Sequence, residues 1–169
     1  MEDKKLLLLK SLKSNIEEII PSLDIAQVEI YGKKREDSLE FLTDELIMTV
    51  LILTNADGNL STQELKLIND MRHVVYGYGI PDLKESDYFE LCKRFLSSHN
   101  EKRMTIDHLP LCINLLVLYD KKHSTNFADK ASVLFIQFAE ALINIDKERH
   151  HIEEIIFLNF KETLEKRTP

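Results

Sequence analysis

Apolar side chains recur along this sequence three and four residues apart, the spacing that places them on one face of a helix. The pattern predicts a first helix over 3–20 that stops at Pro21, because proline cannot continue a helix. Strand-like alternation over four or more residues is not found. The later apolar stripes run over 39–53, 65–75, 89–96, 109–119, 131–145 and 152–164. We therefore predict an all-α fold, a single irregular or orthogonal bundle of about seven or eight helices.

The segment 22–37 interrupts this pattern, with a possible short helix over 24–30, a turn at Gly32 and a group of charges. We expect a hinge or variable region there. The interruption divides the chain into an N-terminal helix with its connecting segment, 1–37, packed on a helical domain, 38–169. Four leucines from Leu6 to Leu9 make the first helix apolar on more than one face, which favours burial under other helices. A homodimer seam is the alternative.

Composition limits the function classes. The 169 residues are 44% hydrophobic and 30% charged, as in a soluble domain, and four Gly with four Pro are too few for the many turns of an all-β fold. Cys92 and Cys112 form no C-x-x-C motif, which favours a reduced, cytoplasmic setting. A net charge of −7 with scattered basic residues argues against nucleic acid. No apolar run approaches the roughly 18 residues of a membrane span, so we expect no direct membrane insertion.

The phrase L-x-N-x-D, followed six residues later by Glu, occurs twice at helix-helix corners. The two copies are 89 residues apart, from Leu53 to Leu142 (142 minus 53). They predict an internal duplication with a pseudo-twofold axis and two acidic sites. The candidate metal ligands are Asn55, Asp57, Glu64, Asn144, Asp146 and Glu153.

These oxygen ligands would suit Ca²⁺, Mg²⁺ or Mn²⁺. The first corner resembles a calcium-binding loop, but Leu53 stands where that loop requires Asp, so an EF-hand is not predicted. The alternative is capping, because Asp57 with Gly58 is a turn pair and Ser61 with Glu64 forms a capping box. The Asn, Asp and Glu recur in the second corner whereas the turn Gly and the N-cap Ser do not, which favours a cation role.

Catalysis has little support. The common nucleotide-binding and acyl-transfer motifs are missing, and we assign no catalytic or cofactor-binding residue. Glu148 and His151 match a di-metal E-x-x-H motif once, so a metal-dependent hydrolase is a minor alternative. Tyr76 and Tyr78 flank Gly77 at a corner and are candidates for an exposed contact surface.

The corner from Asp57 to Glu64, following an apolar helix, and the corner from Asp146 to Glu153 resemble the tellurite-resistance TerB-like family over roughly 41–164. The polar segment from Asp120 to Ala128 is similar to a corner of the TerB-like domains associated with AAA-type ATPases. The family's acidic positions fall on Asp57, Glu64, Asp146 and Glu153, with Asp120 as an addition. Lys147 departs from the pattern, since the first corner has Gly58 there.

This resemblance implies a bacterial stress-response or defence domain without catalytic activity. The expected function is a binding module that senses or binds a divalent cation and engages a protein partner, such as an AAA-type ATPase or a membrane-associated complex. The alternative is a pure interaction scaffold with no metal role.

Overall fold

The computed structural model of the chain describes residues 2–54, 60–97, 110–145 and 151–166. These ranges contain seven helices and no strand, which confirms the all-α prediction. The internal duplication stays a prediction. The helices are α1 (Glu2–Tyr31), α2 (Ser38–Thr54), α3 (Thr62–Tyr76), α4 (Glu85–Ser97), α5 (Leu111–His123), α6 (Phe127–Ile143) and α7 (His151–Glu165).

The long helix α1 contains Pro21, so the predicted end of the first helix at this residue is wrong. Proline removes one backbone hydrogen bond and costs about 3 kcal/mol inside a helix. The apolar stripe continues across it, with Ile19 before and Leu23 after, both fully buried. Burying each such side chain contributes roughly 1.5–3 kcal/mol, so packing on both sides offsets the defect. Pro21 itself is exposed, and its ring faces away from the core.

Replacing Pro21 tests this balance. We expect Pro21→Ala to raise the free energy of unfolding by about 1–3 kcal/mol, because alanine restores the missing N–H donor. Urea unfolding followed by circular dichroism measures the change. Lys10→Ala, at another exposed position of α1, serves as control and should change stability by less than about 0.5 kcal/mol. Lower stability of Pro21→Ala would show that the packing of α1 depends on the proline.

The predicted interruption is wrong for residues 22–31, which continue α1, whereas the predicted turn at Gly32 is confirmed. Helix α1 runs on to Tyr31 and ends at Gly32, whose φ of 74° suits glycine. The connection to α2 is then held by Gln27, a buried side chain of α1. Its Oε1 accepts the N–H groups of Arg35 (3.2 Å) and Glu36 (3.1 Å), and its Nε2 donates to the carbonyl of Glu36 (3.2 Å). This segment is anchored to the helix before it.

Helix α6 lies at the centre of the bundle and packs against α1, α2, α5 and α7. It is buried on more than one face, and Leu134, Phe135 and Phe138 have no exposed surface. The first helix packs against α2, α3, α5 and α6. Burial of the leucine run is only partial, because Leu9 is buried whereas Leu6 is 48% and Leu7 66% exposed. A homodimer seam at these leucines stays a prediction.

Two carboxylates join neighbouring helices by accepting backbone N–H groups at helix starts. Glu45 of α2 accepts the N–H of Leu111 (2.9 Å) and of Cys112 (2.8 Å) at the start of α5. Asp120 of α5 does the same for α6, with Phe127 N–H at 3.0 Å and Ala128 N–H at 2.7 Å. The first N–H groups of a helix have no partner inside it, so these contacts satisfy them and fix the order of packing.

The bridge from Glu45 is open to a direct test. We expect Glu45→Gln to lower the free energy of unfolding by about 1–3 kcal/mol, since each carboxylate oxygen holds one amide and the glutamine NH₂ cannot accept. Chemical denaturation measures the loss. The control is Glu162→Gln, which alters an exposed ion pair between Glu162 of α7 and Lys166 just after it. This substitution should leave the free energy of unfolding almost unchanged. Equal effects of the two substitutions would contradict the bridging role.

Candidate functional site

The first acidic corner is described from Leu60 onward, and there Glu64 acts as a cap. Ser61 N–H donates to Glu64 Oε2 at 2.7 Å, and Glu64 N–H donates to Ser61 Oγ at 3.1 Å. The predicted capping box is therefore confirmed. Glu64 is also buried, and its Oε2 serves the start of α3.

The second corner is described on both sides of its centre. Asn144 follows the last residue of α6 and its Nδ2 donates to the carbonyl of Glu140 at 2.7 Å. Glu153 is buried in the first turn of α7, where a carboxylate favours the helix dipole. His151 begins that helix.

The central residues of the predicted metal site, Asn55, Asp57 and Asp146, lie outside the described residues, as does Glu148. Over the part of the chain that the structure describes, no three His, Cys, Asp or Glu side chains are grouped as metal ligands. The cation role of the corners stays a prediction. Asp120, the additional acidic residue, caps α6 as described above.

Thermal melting separates a cation role from capping. Capping alone predicts that Glu64→Ala lowers the free energy of unfolding by about 1 kcal/mol in the presence of a chelator, because the cap needs no ion. Ion binding predicts a higher Tm in millimolar Ca²⁺, Mg²⁺ or Mn²⁺ and loss of this rise in Asp57→Asn, since a ligand of the native state stabilises it. No rise in the native chain would dismiss the cation role.

A different site is formed by α2, α3, α4 and the connection 77–84, which enclose a cavity of about 480 Å³. We call it the α2–α4 cleft. Ligand pockets of proteins usually measure roughly 300–1,000 Å³, so this volume is in their range. Its apolar lining includes Ile47, Ile80, Leu83 and Leu91.

Helical spacing explains how the sequence builds the cleft. Glu40, Thr43, Asp44 and Ile47 are three, four and seven residues apart, so they share one face of α2. Arg72 and Tyr76 of α3, four residues apart, lie on the opposite wall. The first turns of α4 contribute Asp87, Glu90 and Leu91.

The connection between α3 and α4 is fixed to α3 by polar contacts. Asn69 is buried, and its side-chain amide pairs with Leu83 in both directions, Nδ2 to carbonyl at 3.0 Å and N–H to Oδ1 at 2.8 Å. Arg72 Nη1 donates to the carbonyl of Pro81 at 3.1 Å. These bonds hold the cleft wall in place before any ligand arrives.

The wall of the cleft contains a buried hydroxyl. Thr43 is 1% exposed, and its hydroxyl lies next to the phenol of Tyr76. The nearby phenol of Tyr76 is half-buried, and this burial raises its pKa above the ordinary tyrosine value. The Thr43 hydroxyl acts in the opposite direction, because its hydrogen bond with the phenol lowers the pKa of Tyr76.

The electrostatic potential at the Tyr76 phenol is negative. Asp44, Glu40 and Asp37 each raise the pKa of Tyr76 further, because a nearby negative charge disfavours the phenolate. The phenol therefore remains protonated at neutral pH and can donate or accept a hydrogen bond. The cleft thus combines apolar side chains, two hydroxyls and acidic side chains. Ligand-binding sites commonly have such a mixed lining.

Sequence reasoning identified part of this site. It singled out Tyr76 and Tyr78 as contact candidates, and Tyr78 is 79% exposed beside the cleft residue Tyr76. It missed Thr43, Glu40 and Asp44. These residues could have been found as a polar face on the otherwise apolar helix α2. The sequence does not show, however, that this face lines a cleft with α3 and α4.

Comparison of the chain with protein-family models, with curated proteins and with solved structures finds no match. The TerB-like resemblance therefore stays a prediction. None of the described helices is long and apolar enough to cross a membrane.

Proposed function

We propose that this chain is a non-catalytic protein-interaction module that receives a segment of a partner protein in the α2–α4 cleft. The observation that carries the proposal is the α2–α4 cleft itself, a cavity of about 480 Å³ whose lining joins apolar side chains to hydroxyl and charged groups. This volume lies in the range of ligand pockets in proteins.

The lining of the cleft supports the same conclusion. Binding sites join an apolar surface to a few polar groups that fix the orientation of the ligand. Here Ile47 and Leu91 supply apolar surface, and Thr43 and Tyr76 supply the polar groups. Tyr78, two residues after Tyr76, adds an exposed aromatic ring, and tyrosine is enriched at protein interfaces.

This proposal needs no metal. It corresponds to the scaffold alternative of the sequence, with the acids of the described corners acting as caps, as the capping box of Glu64 supports. An AAA-type ATPase or a membrane-associated complex as partner rests on the TerB-like resemblance alone. The cleft gives the interaction a location that can be tested without knowing the partner.

Site-specific photo-crosslinking in cells that produce the chain tests the proposal. We expect a benzoylphenylalanine at Glu90, on the rim of the cleft, to give a discrete covalent product on irradiation. The same residue at Leu158, 54% exposed on α7, is the matched control and should give none. Benzoylphenylalanine reacts only with groups that it contacts, so a product at Glu90 alone would locate the partner at the cleft.

Circular dichroism must first show that both photo-crosslinking variants keep the helical content of the parent chain. Product from Leu158 alone, or equal product from both positions, would place the interaction outside the cleft. If irradiation gave no product from either position, the interaction proposal would be wrong.

A further inference from the structure

We propose that the amino-terminal part of α1 is a peripheral docking surface for a bilayer that contains anionic lipids. The surface consists of two exposed leucines, Leu6 and Leu7, and three exposed lysines, Lys4, Lys10 and Lys13. We call it the lysine–leucine face. It shares no residue with the lining of the α2–α4 cleft, so the inference goes beyond the proposed function.

The leucines of this face are not used by the core of the chain. Helix α1 packs on the other helices through a different stripe, which includes Leu9, Leu12 and Ile16, all of them buried. Leu6 and Leu7 lie off this stripe, and about half or more of each side chain is exposed. The free face of α1 therefore carries apolar surface that packing inside the chain does not explain.

Helical spacing places the lysines around the leucines. Lys4 and Lys10 are three residues before and three residues after Leu7, and Lys10 is also four residues after Leu6. Side chains three and four residues apart are neighbours on the surface of a helix. Lys13 continues the row one turn further. Helices that lie on anionic membranes combine the same groups, with leucine at the acyl boundary and ammonium groups at the headgroups.

Two of the three lysines have no ionic partner. Lys4 and Lys10 are exposed, and their side chains form no ion pair or hydrogen bond within the described part of the chain. The third, Lys13, has its Nζ 3.9 Å from Glu17 Oε1, an exposed pair on the same helix. Exposed pairs of this kind are weak, so they do not hold the lysine away from a stronger anionic surface.

The net charge of the chain, −7, does not decide how this face behaves. At physiological ionic strength, exposed charges more than about 8 Å apart are largely screened from each other. Close to the face, Glu140 of α6 lines a groove with Leu7 and opposes the lysines. The positive charge alone is therefore modest, and we expect reversible binding that needs the lysines and the leucines together.

The groove beside Leu7 extends the apolar surface. It lies between α1 and α6, has a volume of about 370 Å³, and includes Leu7, Leu8 and Ala141 in its lining. Its other lining side chains, such as Ser11, are polar. Apolar and polar groups meet in the same way at the boundary between acyl chains and headgroups, which is the level at which such a helix lies.

A bilayer fits this face better than a second copy of the chain. A twofold contact centred on Leu7 would bring the same patch of both copies together, so that Lys4 and Lys10 of one copy would meet those of the other. Like charges placed against each other disfavour such a contact. An anionic membrane instead offers negative charge to the lysines and an apolar interior to the leucines.

Flotation with lipid vesicles tests the inference. The native chain is mixed with vesicles of phosphatidylcholine alone, or of equal parts of phosphatidylcholine and phosphatidylglycerol, and centrifuged in a density gradient. We expect the chain to float with the anionic vesicles and to stay at the bottom of the gradient with the neutral ones. Raising the salt concentration should release it, because salt screens the attraction between the lysines and the headgroups.

Two variants of the face and two controls assign the effect to the site. We expect Lys10→Gln to weaken binding to the anionic vesicles about fivefold, the contribution of one lysine near a membrane surface. Leu7→Gln should weaken it by about the same factor or more, since it removes apolar surface. The controls are Lys121→Gln on α5 and Leu158→Gln on α7, both at exposed positions, and they should leave binding unchanged.

Circular dichroism must show that all four variants keep the helical content of the native chain, as expected for substitutions at exposed positions. Absence of flotation with the anionic vesicles, or equal flotation with both kinds of vesicle, would overturn the inference. Binding that Lys10→Gln and Leu7→Gln both leave intact would do the same. Without flotation, a native dimer that Leu7→Gln converts to a monomer in light scattering would make this face a seam between copies.

Discussion

Carboxylate groups bound to backbone amides at helix starts are the interaction on which this fold depends. A helix begins with N–H groups that have no partner inside it, and the seven helices of the described residues multiply this requirement. In this protein, acidic side chains meet it at the starts of five successive helices, twice from a neighbouring helix. These side chains are Asp37 for α2, Glu64 for α3, Asp87 for α4, Glu45 for α5 and Asp120 for α6. Five of the 29 acidic side chains of the chain thus have a structural role.

The sequence predicted what local rules control. The bounds of α4 and the capping box of Ser61 with Glu64 were read from spacing alone, because both depend on residues close in the chain. It failed at Pro21, where local chemistry favours a break and packing against other helices overrides it. The same holds for Gln27, whose three bonds to the next connection and one to Ser38 of α2 are formed only when α1 continues past the proline.

The candidate site also has one part that the sequence shows and another that depends on helix packing. A tyrosine pair beside Gly77 can be noticed in a sequence, since exposed aromatic residues grouped at a corner suggest a contact surface. The groups that face Tyr76 come from α2, the helix before α3, and their meeting depends on how α2 and α3 are placed. The repeated acidic phrase was the more visible signal, yet at Glu64 the described structure shows a cap.

Helix α3 connects the acidic corner, which the sequence indicates, to the α2–α4 cleft, which the structure shows. Its first turn is fixed by Ser61 and Glu64 at the acidic corner, and its last residue is Tyr76 in the wall of the cleft. Fifteen helical residues form a rod about 22 Å long. A rigid rod transmits displacement, so any event that rotates α3 at its amino end also turns the phenol at its carboxyl end. The acidic corner and the α2–α4 cleft therefore lie at opposite ends of one helix.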